Sequence, residues 1–166
     1  MIQRSTLTTL ALVAFAAPAL AQDNPRPEQL APLGPPPIPA DNQMTPEKIA
    51  LGEKLFFDPI LSGNKGVSCS SCHLPEAGWA VQDKISFGYP GTTHWRNSQT
   101  VINSAYYGKT FWAGSSKSLE SQARSAARGG VAGNGEDDMM EARLAFVPEY
   151  REAFREVFGA ATPETQ

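Results

Sequence analysis

The chain has 166 residues, with 17 acidic and 14 basic side chains and a formal net charge of −3. That balance excludes the strongly basic surface that nucleic-acid binding requires. No stretch beyond residue 21 is long and apolar enough to span a bilayer.

Met1–Arg4 carries one positive charge, Thr6–Leu20 is apolar, and Ala19-Leu20-Ala21 has the small-x-small pattern of a cleavage site. This is the pattern of a secretory signal peptide, residues 1–21, with cleavage expected after Ala21 and export to the periplasm. Roughly 145 residues remain, enough for one ordinary domain. Residues 22–44 hold many of the 14 prolines, including Pro35-Pro36-Pro37, and read as an extended strap. Residues 45–166 are then the folded domain. Thr45-Pro46-Glu47 combines a capping hydroxyl, a first-position proline and a first-turn acid, so a helix is expected to run to about Phe57. Ile49, Leu55 and Phe56 are expected to face inward, and Asp58-Pro59 stops the helix. Gly63–Ser68 reads as a loop.

Cys69-Ser70-Ser71-Cys72-His73 follows and contains both cysteines of the chain. Two thiols three positions apart can each add to a vinyl group of haem, and the adjacent imidazole can ligate the iron; this is the C-x-x-C-H pattern of c-type haem. A redox disulfide is the first alternative, but it leaves His73 unexplained and no βαβ pattern surrounds the motif. A zinc site is the second, but structural zinc spacing separates the Cys pair from the His pair. Export to an oxidising compartment agrees with covalent haem attachment. The motif is expected to open a short helix that ends near Pro75.

Gly78–Thr110 is rich in Gly, Ser, Thr and Asn and reads as a long loop with a short helix around Gln99–Ser104. Loops of this length in a compact domain are usually functional, and haem is what this one would wrap. Helices are expected from Ser118 to about Arg128, over Glu136–Ala145 and over Pro148–Phe158, with Gly129–Gly135 as a break and Gly159 as a C-terminal cap. Met139, Met140 and Leu144 form one apolar stripe, and Phe154, Val157 and Phe158 another. Thr162-Pro163-Glu164 repeats the earlier helix-start chemistry just before the last residue, Gln166; it suits either a further helix or a frayed tail. The expected fold is mainly α: a cytochrome-c-like haem domain with long loops and short helices.

An ordered series of segments carries a more specific likeness. It comprises Leu51-Gly52-Glu53-Lys54-Leu55-Phe56-Phe57-Asp58, Leu61-Ser62, Ser68–His73, Gly88, Arg96-Asn97-Ser98, Thr100, Asn103, Phe111-Trp112 with Gly114, and Ser118-Leu119-Glu120 with Gln122. Together these resemble the bacterial di-haem cytochrome c peroxidase family, which includes the MauG-like oxidases. The likeness runs from about Thr45 to Phe158. The family has two cytochrome-c-like domains in one chain, and this sequence matches the N-terminal one. The second haem domain is therefore expected to be missing or supplied by a partner chain.

The resemblance implies roles for individual residues. Cys69 and Cys72 would bind one covalent haem c, with His73 as the proximal iron ligand. Trp112 would relay electrons between haems, and Gln122 would sit in the distal pocket. Arg96 would pair with a haem propionate. Asn97 would be a calcium ligand, with the remaining ligands lying in the second domain. The family's distal acid falls at Ala132, with Glu136 the nearest carboxylate in sequence. The family's distal histidine falls at Tyr89, so Tyr89 or His94 is the candidate sixth ligand; Met139 and Met140 fit a core role, and Met44 lies on the strap. The implied activity is reduction of hydrogen peroxide with electrons from a small donor protein, a cytochrome c or a cupredoxin. The alternative is a single-haem electron-transfer cytochrome, or a haem subunit of a larger oxidoreductase with no peroxidase activity of its own. The acid absent at position 132 and the single motif favour the alternative; Trp112 and Gln122 favour the peroxidase.

Overall fold

The computed structural model describes residues 31–159; the leader, the start of the proline-rich segment and Thr162-Pro163-Glu164 lie outside them. Regular structure among the described residues consists of four α-helices and four single 3-10 turns, with isolated bridges in place of strands. The helices are α1 (Pro46–Phe57), α2 (Leu119–Arg128), α3 (Asp137–Phe146) and α4 (Pro148–Phe158). The mainly α, loop-rich architecture is thus as expected.

Each boundary has a local cause. Thr45 Oγ1 accepts from the Lys48 N–H at 3.2 Å and Pro46 occupies the first helical position, which together start α1. Ser118 Oγ accepts from the Ser121 N–H at 3.1 Å and starts α2. Gly159 adopts the left-handed conformation, φ 70°, and its N–H closes α4 on the Arg155 carbonyl. The strap is extended and exposed, and its end is fastened by polar contacts: Asn42 Nδ2 donates to Glu120 Oε1 at 2.8 Å, and Lys48 Nζ donates to the Gln43 carbonyl.

The core is a single cluster of Leu51, Ile60, Leu144, Tyr150 and Phe154, where α1, α3 and α4 meet the 3-10 turn Pro59–Leu61. Full burial of each such side chain contributes roughly 1.5–3 kcal/mol. Ile49 does not join it. Ile49 is 58 % exposed, and Leu51 is the buried residue of α1, because α1 packs on α4 and the Pro59–Leu61 turn along the Leu51/Leu55 edge. Phe56 is half-buried. Met140 and Leu144 are buried as expected and Met139 is half-buried, whereas Phe158 at the end of its stripe is exposed and stacks on Phe154 at 5.7 Å. The short helix expected at Gln99–Ser104 is instead a 3-10 turn at Ser104–Tyr106. Asn103, at φ 60°, breaks the helical path before it.

Two polar anchors hold the segment between α1 and the cysteine motif. Asp58 uses both carboxylate oxygens: Oδ1 accepts from the Ile60 N–H and Oδ2 accepts from the Tyr150 hydroxyl, each at 2.8 Å. Tyr150 is buried, and Lys54 Nζ lies 4.3 Å from its ring centroid. Arg143 of α3 donates to three backbone carbonyls: Nη1 to Ile60 and Ser62, and Nη2 to Gly63 at 2.8 Å. Neither anchor was anticipated from the sequence, because each joins positions about 80 or 90 residues apart.

Two predictions follow from these anchors. Arg143→Ala leaves three carbonyls of a half-buried turn without their charged donor and should lower unfolding stability by about 3 kcal/mol. Arg143→Lys should recover only part of that, since an ammonium lacks the planar fork; denaturant titration distinguishes the two. Burial, with Asp58 adding to it, pushes the Tyr150 hydroxyl well above its ordinary value of 10.0. The folded state therefore favours the neutral phenol, and this contribution is complete below pH 10 and lost as pH rises through and beyond it. Tyr150→Phe should cost about 1–2 kcal/mol at pH 8, and the gap to the parent protein should narrow above pH 10.

Candidate haem-attachment site

The helix expected at the cysteine motif is a 3-10 turn, Cys69–Ser71, followed after Leu74 by a second, Pro75–Ala77. The Cys69 carbonyl accepts from the N–H groups of both Cys72, at 3.1 Å, and His73, at 3.0 Å. One turn of backbone thus holds the two cysteines and the histidine. Both cysteines are free. Desolvation pushes both thiols above their ordinary value, slightly offset at Cys72 by Ser98. Cys72 Sγ lies 3.6 Å from the Phe87 carbonyl, which places the 85–94 loop beside the motif.

His73 is oriented by a strained turn. Gly78 and Trp79 are both left-handed, with φ 66° and 61°. This is ordinary for glycine and costs a bulky residue roughly 1–3 kcal/mol. The strain is held by the bridge between Leu74 and Ala80 and by the Trp79 N–H, which donates to the Leu74 carbonyl at 2.8 Å. The result is that the Trp79 carbonyl faces His73 Nδ1 at 3.3 Å. A carbonyl can only accept, so Nδ1 carries the proton and Nε2 carries the lone pair that a metal needs. Desolvation lowers the imidazole pKa, against opposing contributions from the backbone of Trp79 and Gln99, and favours that neutral form. Phe56 packs against both His73 (6.3 Å) and Trp79 (5.8 Å), and Phe57 packs against Trp79 at 6.1 Å. Trp79 and Phe56 thus belong to the site. Neither is marked by the sequence as part of it, because the left-handed turn at Gly78 and Trp79 that brings Trp79 to His73 emerges only in the fold.

These features fit a c-type haem. Two free thiols lie beside an imidazole whose Nδ1 faces a backbone carbonyl. The surrounding loops present Ile85, Phe87, Trp95, Phe111 and Trp112 as exposed apolar side chains, suited to a large flat apolar group. Among the described residues, no group of three or more His, Cys, Asp or Glu side chains is arranged to hold a metal ion by itself.

The remaining candidates lie on separate elements. Trp112 is 57 % exposed at the tip of a turn closed by the Thr110–Ser116 bridge, and its Nε1 donates to the Asn97 carbonyl at 2.9 Å. Asn97 Nδ2 in turn donates to the carbonyls of Val81 and Asp83, so its side chain ties two loop segments together and only Oδ1 stands outside these bonds. Arg96 is exposed, and its backbone N–H donates to His94 Nδ1 at 3.1 Å. The His94 ring stacks on Trp95 at 5.2 Å. Gln122 is half-buried on α2. Ala132 lies in the Gly-rich loop after α2, and Glu136 lines a groove with Ser118, Ser121 and Arg124 whose lining does not include Gln122. Tyr89 packs against Gly63, and its N–H donates to the Val131 carbonyl at 3.0 Å. Met44 is exposed on the strap.

Comparison with known proteins agrees with this geometry. Residues 46–166 match the family model described as di-haem cytochrome c peroxidase. The chain is 60 % identical over 154 residues to cytochrome-c peroxidase IdrP1 of Denitromonas iodatirespirans, covering 93 % of this chain and 41 % of that protein. It is 57 % identical over 162 residues to cytochrome-c peroxidase IdrP1 of Pseudomonas sp. strain SCT, covering 98 % of this chain and 42 % of that one. The fold is similar to the crystal structure of a MauG-like protein associated with microbial copper homeostasis, with a TM-score of 0.71 and 32 % identity, covering 85 % of this chain and 41 % of the other. The chain therefore spans about two fifths of the length of these relatives. With a haem motif whose histidine is oriented for ligation and a family match over residues 46–166, the chain belongs to the di-haem cytochrome c peroxidase family.

Proposed function

We propose that this chain binds one haem c and acts as the peroxide-reducing part of a periplasmic cytochrome c peroxidase, taking electrons from a small cytochrome c or cupredoxin. The observation that carries this reading is the His73 imidazole, held by the Trp79 carbonyl beside two free thiols. The relatives named cytochrome-c peroxidases support the activity. Among the described residues no helix is long and apolar enough to cross a membrane; export rests on the leader pattern of residues 1–21.

When bound, the haem supplies an iron centre that binds peroxide and exchanges electrons. Cys69 and Cys72 would hold it covalently, and His73 would donate through Nε2. The Trp79 carbonyl on Nδ1 raises the donor strength of that nitrogen. Gln122 offers an amide for a hydrogen bond to a bound oxygen ligand, and Arg96 offers a guanidinium for a propionate. Trp112, exposed and fixed through its indole N–H, suits electron entry from a second haem domain or a partner chain. A calcium ion would draw one oxygen from Asn97 and the rest from outside the described residues.

A second reading, electron transfer without peroxide turnover, is favoured by one observation. The position of the family's distal acid is Ala132, and Glu136 lines the groove beside Ser118 and Arg124 rather than a pocket shared with Gln122. Moving a proton between the two peroxide oxygens needs such a group.

The ferric holoprotein distinguishes the two. Peroxidase function predicts an optical spectrum that peroxide changes, and peroxide consumption coupled to oxidation of a reduced small cytochrome; a spectrum indifferent to peroxide contradicts the peroxidase reading for this chain. His73→Ala should keep the thioether-bound haem and lose the imidazole nitrogen that would ligate iron, seen as a changed ferric spectrum. An unaltered spectrum contradicts the ligand assignment.

A further inference from the structure

We propose that Tyr89 is a positioning residue that locks the Gly129–Gly135 loop, and through it helix α2 with Gln122, onto the segment leading into the haem motif, and that it does not ligate iron. The inference rests on the reading of Cys69, Cys72 and His73 as the haem site.

The backbone of Tyr89 is held on both sides. Its N–H donates to the Val131 carbonyl at 3.0 Å. Its carbonyl accepts from the Thr92 N–H at 2.8 Å and from Thr92 Oγ1 at 2.7 Å. Those bonds close a turn over Pro90 and Gly91, with proline presetting its first corner and Gly91 at φ 82° taking the second. The side chain is held as well. A Cβ built on Gly63 would lie 2.9 Å from the Tyr89 hydroxyl oxygen and 3.3 Å from its Cζ, so the phenol rests directly on the Gly63 backbone.

Gly63 is the junction of three contacts. Its N–H donates to the Gly133 carbonyl at 2.9 Å, its carbonyl accepts from Arg143 Nη2, and its α-carbon faces the hydroxyl end of the Tyr89 side chain. The Asn134 carbonyl would be 2.5 Å from a Cβ there, so backbone meets backbone and only glycine fits. The Gly-rich loop is also bound to α2: the N–H groups of Gly133 and Gly135 donate to the carbonyls of Ala126 and Ala127 in its last turn. A chain of contacts therefore runs from α2 through the loop to Gly63 and Tyr89. Releasing Tyr89 toward iron would require breaking its N–H bond to Val131 or lifting its ring from Gly63. His94, in contrast, accepts the Arg96 N–H at Nδ1, a bond that does not involve Nε2.

The test uses the haem-loaded full chain as Tyr89→Phe, Tyr89→Leu and Tyr89→Ala, with hydrogen exchange and the ferric optical spectrum as readouts. Tyr89→Phe keeps the ring on Gly63 and should match the parent in both. Tyr89→Ala should raise amide exchange at Gly63 and across residues 133–135 by about tenfold, with unaffected exchange in α1. Tyr89→Leu, which retains bulk, should fall between them and stands in if the alanine variant does not fold. Two results overturn the proposal: a changed spin state or a lost phenolate charge-transfer band in Tyr89→Phe, or unchanged exchange at Gly63 and residues 133–135 in the variants lacking the ring. Both readouts are independent of peroxide turnover. A holoprotein inert to peroxide that still shows the exchange pattern overturns the peroxidase reading and leaves the lock intact.

Discussion

The guanidinium of Arg143 and the carbonyls of Ile60, Ser62 and Gly63 form the contact on which the site depends. A residue on α3 reaches back across about 80 positions and fixes the strand of backbone that delivers the chain into Cys69. The carbonyls lie outside the α-helices and are part-buried, and that of Ser62 also accepts from the Lys65 N–H, so a charged planar donor is an efficient way to satisfy several at once. Asp58 and Tyr150 repeat the logic one step earlier, where α1 ends. Helices α3 and α4 thus act as the frame that holds the segment leading into the cysteine motif.

The two halves of the structure are built differently. Of the buried apolar residues, Leu51, Ile60, Met140, Leu144, Tyr150 and Phe154 belong to the helices or the turn after α1, while the long loop contributes Val81. The loop compensates with polar stitching: Asn97 to Val81 and Asp83, Ser86 to Ser98 at 2.6 Å, and Thr100 Oγ1 to the Gly78 carbonyl at 2.6 Å. Left-handed Trp79 and Phe111 store strain there. Strain of this kind persists where the surroundings over-determine it, and it is concentrated in sites that must aim a group. At Trp79 the group is a carbonyl, and its target is the His73 imidazole. A bound haem would supply to this half the apolar body that the helices supply to the other.

The parts legible in the sequence were those encoded locally. Thr45-Pro46, Ser118 and Gly159 carry their own start and stop chemistry, and α1, α2 and α4 lie within a residue of where those signals put them. The C-x-x-C-H pattern of Cys69, Cys72 and His73 is legible because covalent haem chemistry dictates such spacing; the fold gathers the three on one turn of backbone, and the proposed haem attachment rests on that. The inward face of α1 was misassigned at Ile49, since helical periodicity does not say which edge meets α4. The turn at Ser104–Tyr106 was shifted because Asn103 takes a conformation that propensity does not announce. Arg143, Tyr150 and the Tyr89–Gly63 contact were invisible for a simpler reason: each is a pairing between distant positions, and a single sequence carries no sign of it. Trp112 and Asn97 were found by family resemblance, yet their mutual hydrogen bond emerged only from the fold.

The claim from which all the others descend is covalent attachment at Cys69 and Cys72. Intact-mass analysis of the protein produced together with a cytochrome c maturation system, with an alkaline pyridine haemochrome spectrum after denaturation, tests it most directly. The account predicts one haem added per motif, held through denaturation and organic extraction, and lost to a single thioether in Cys69→Ala or Cys72→Ala. Protein carrying two free thiols, or haem that extracts into organic solvent, would contradict it.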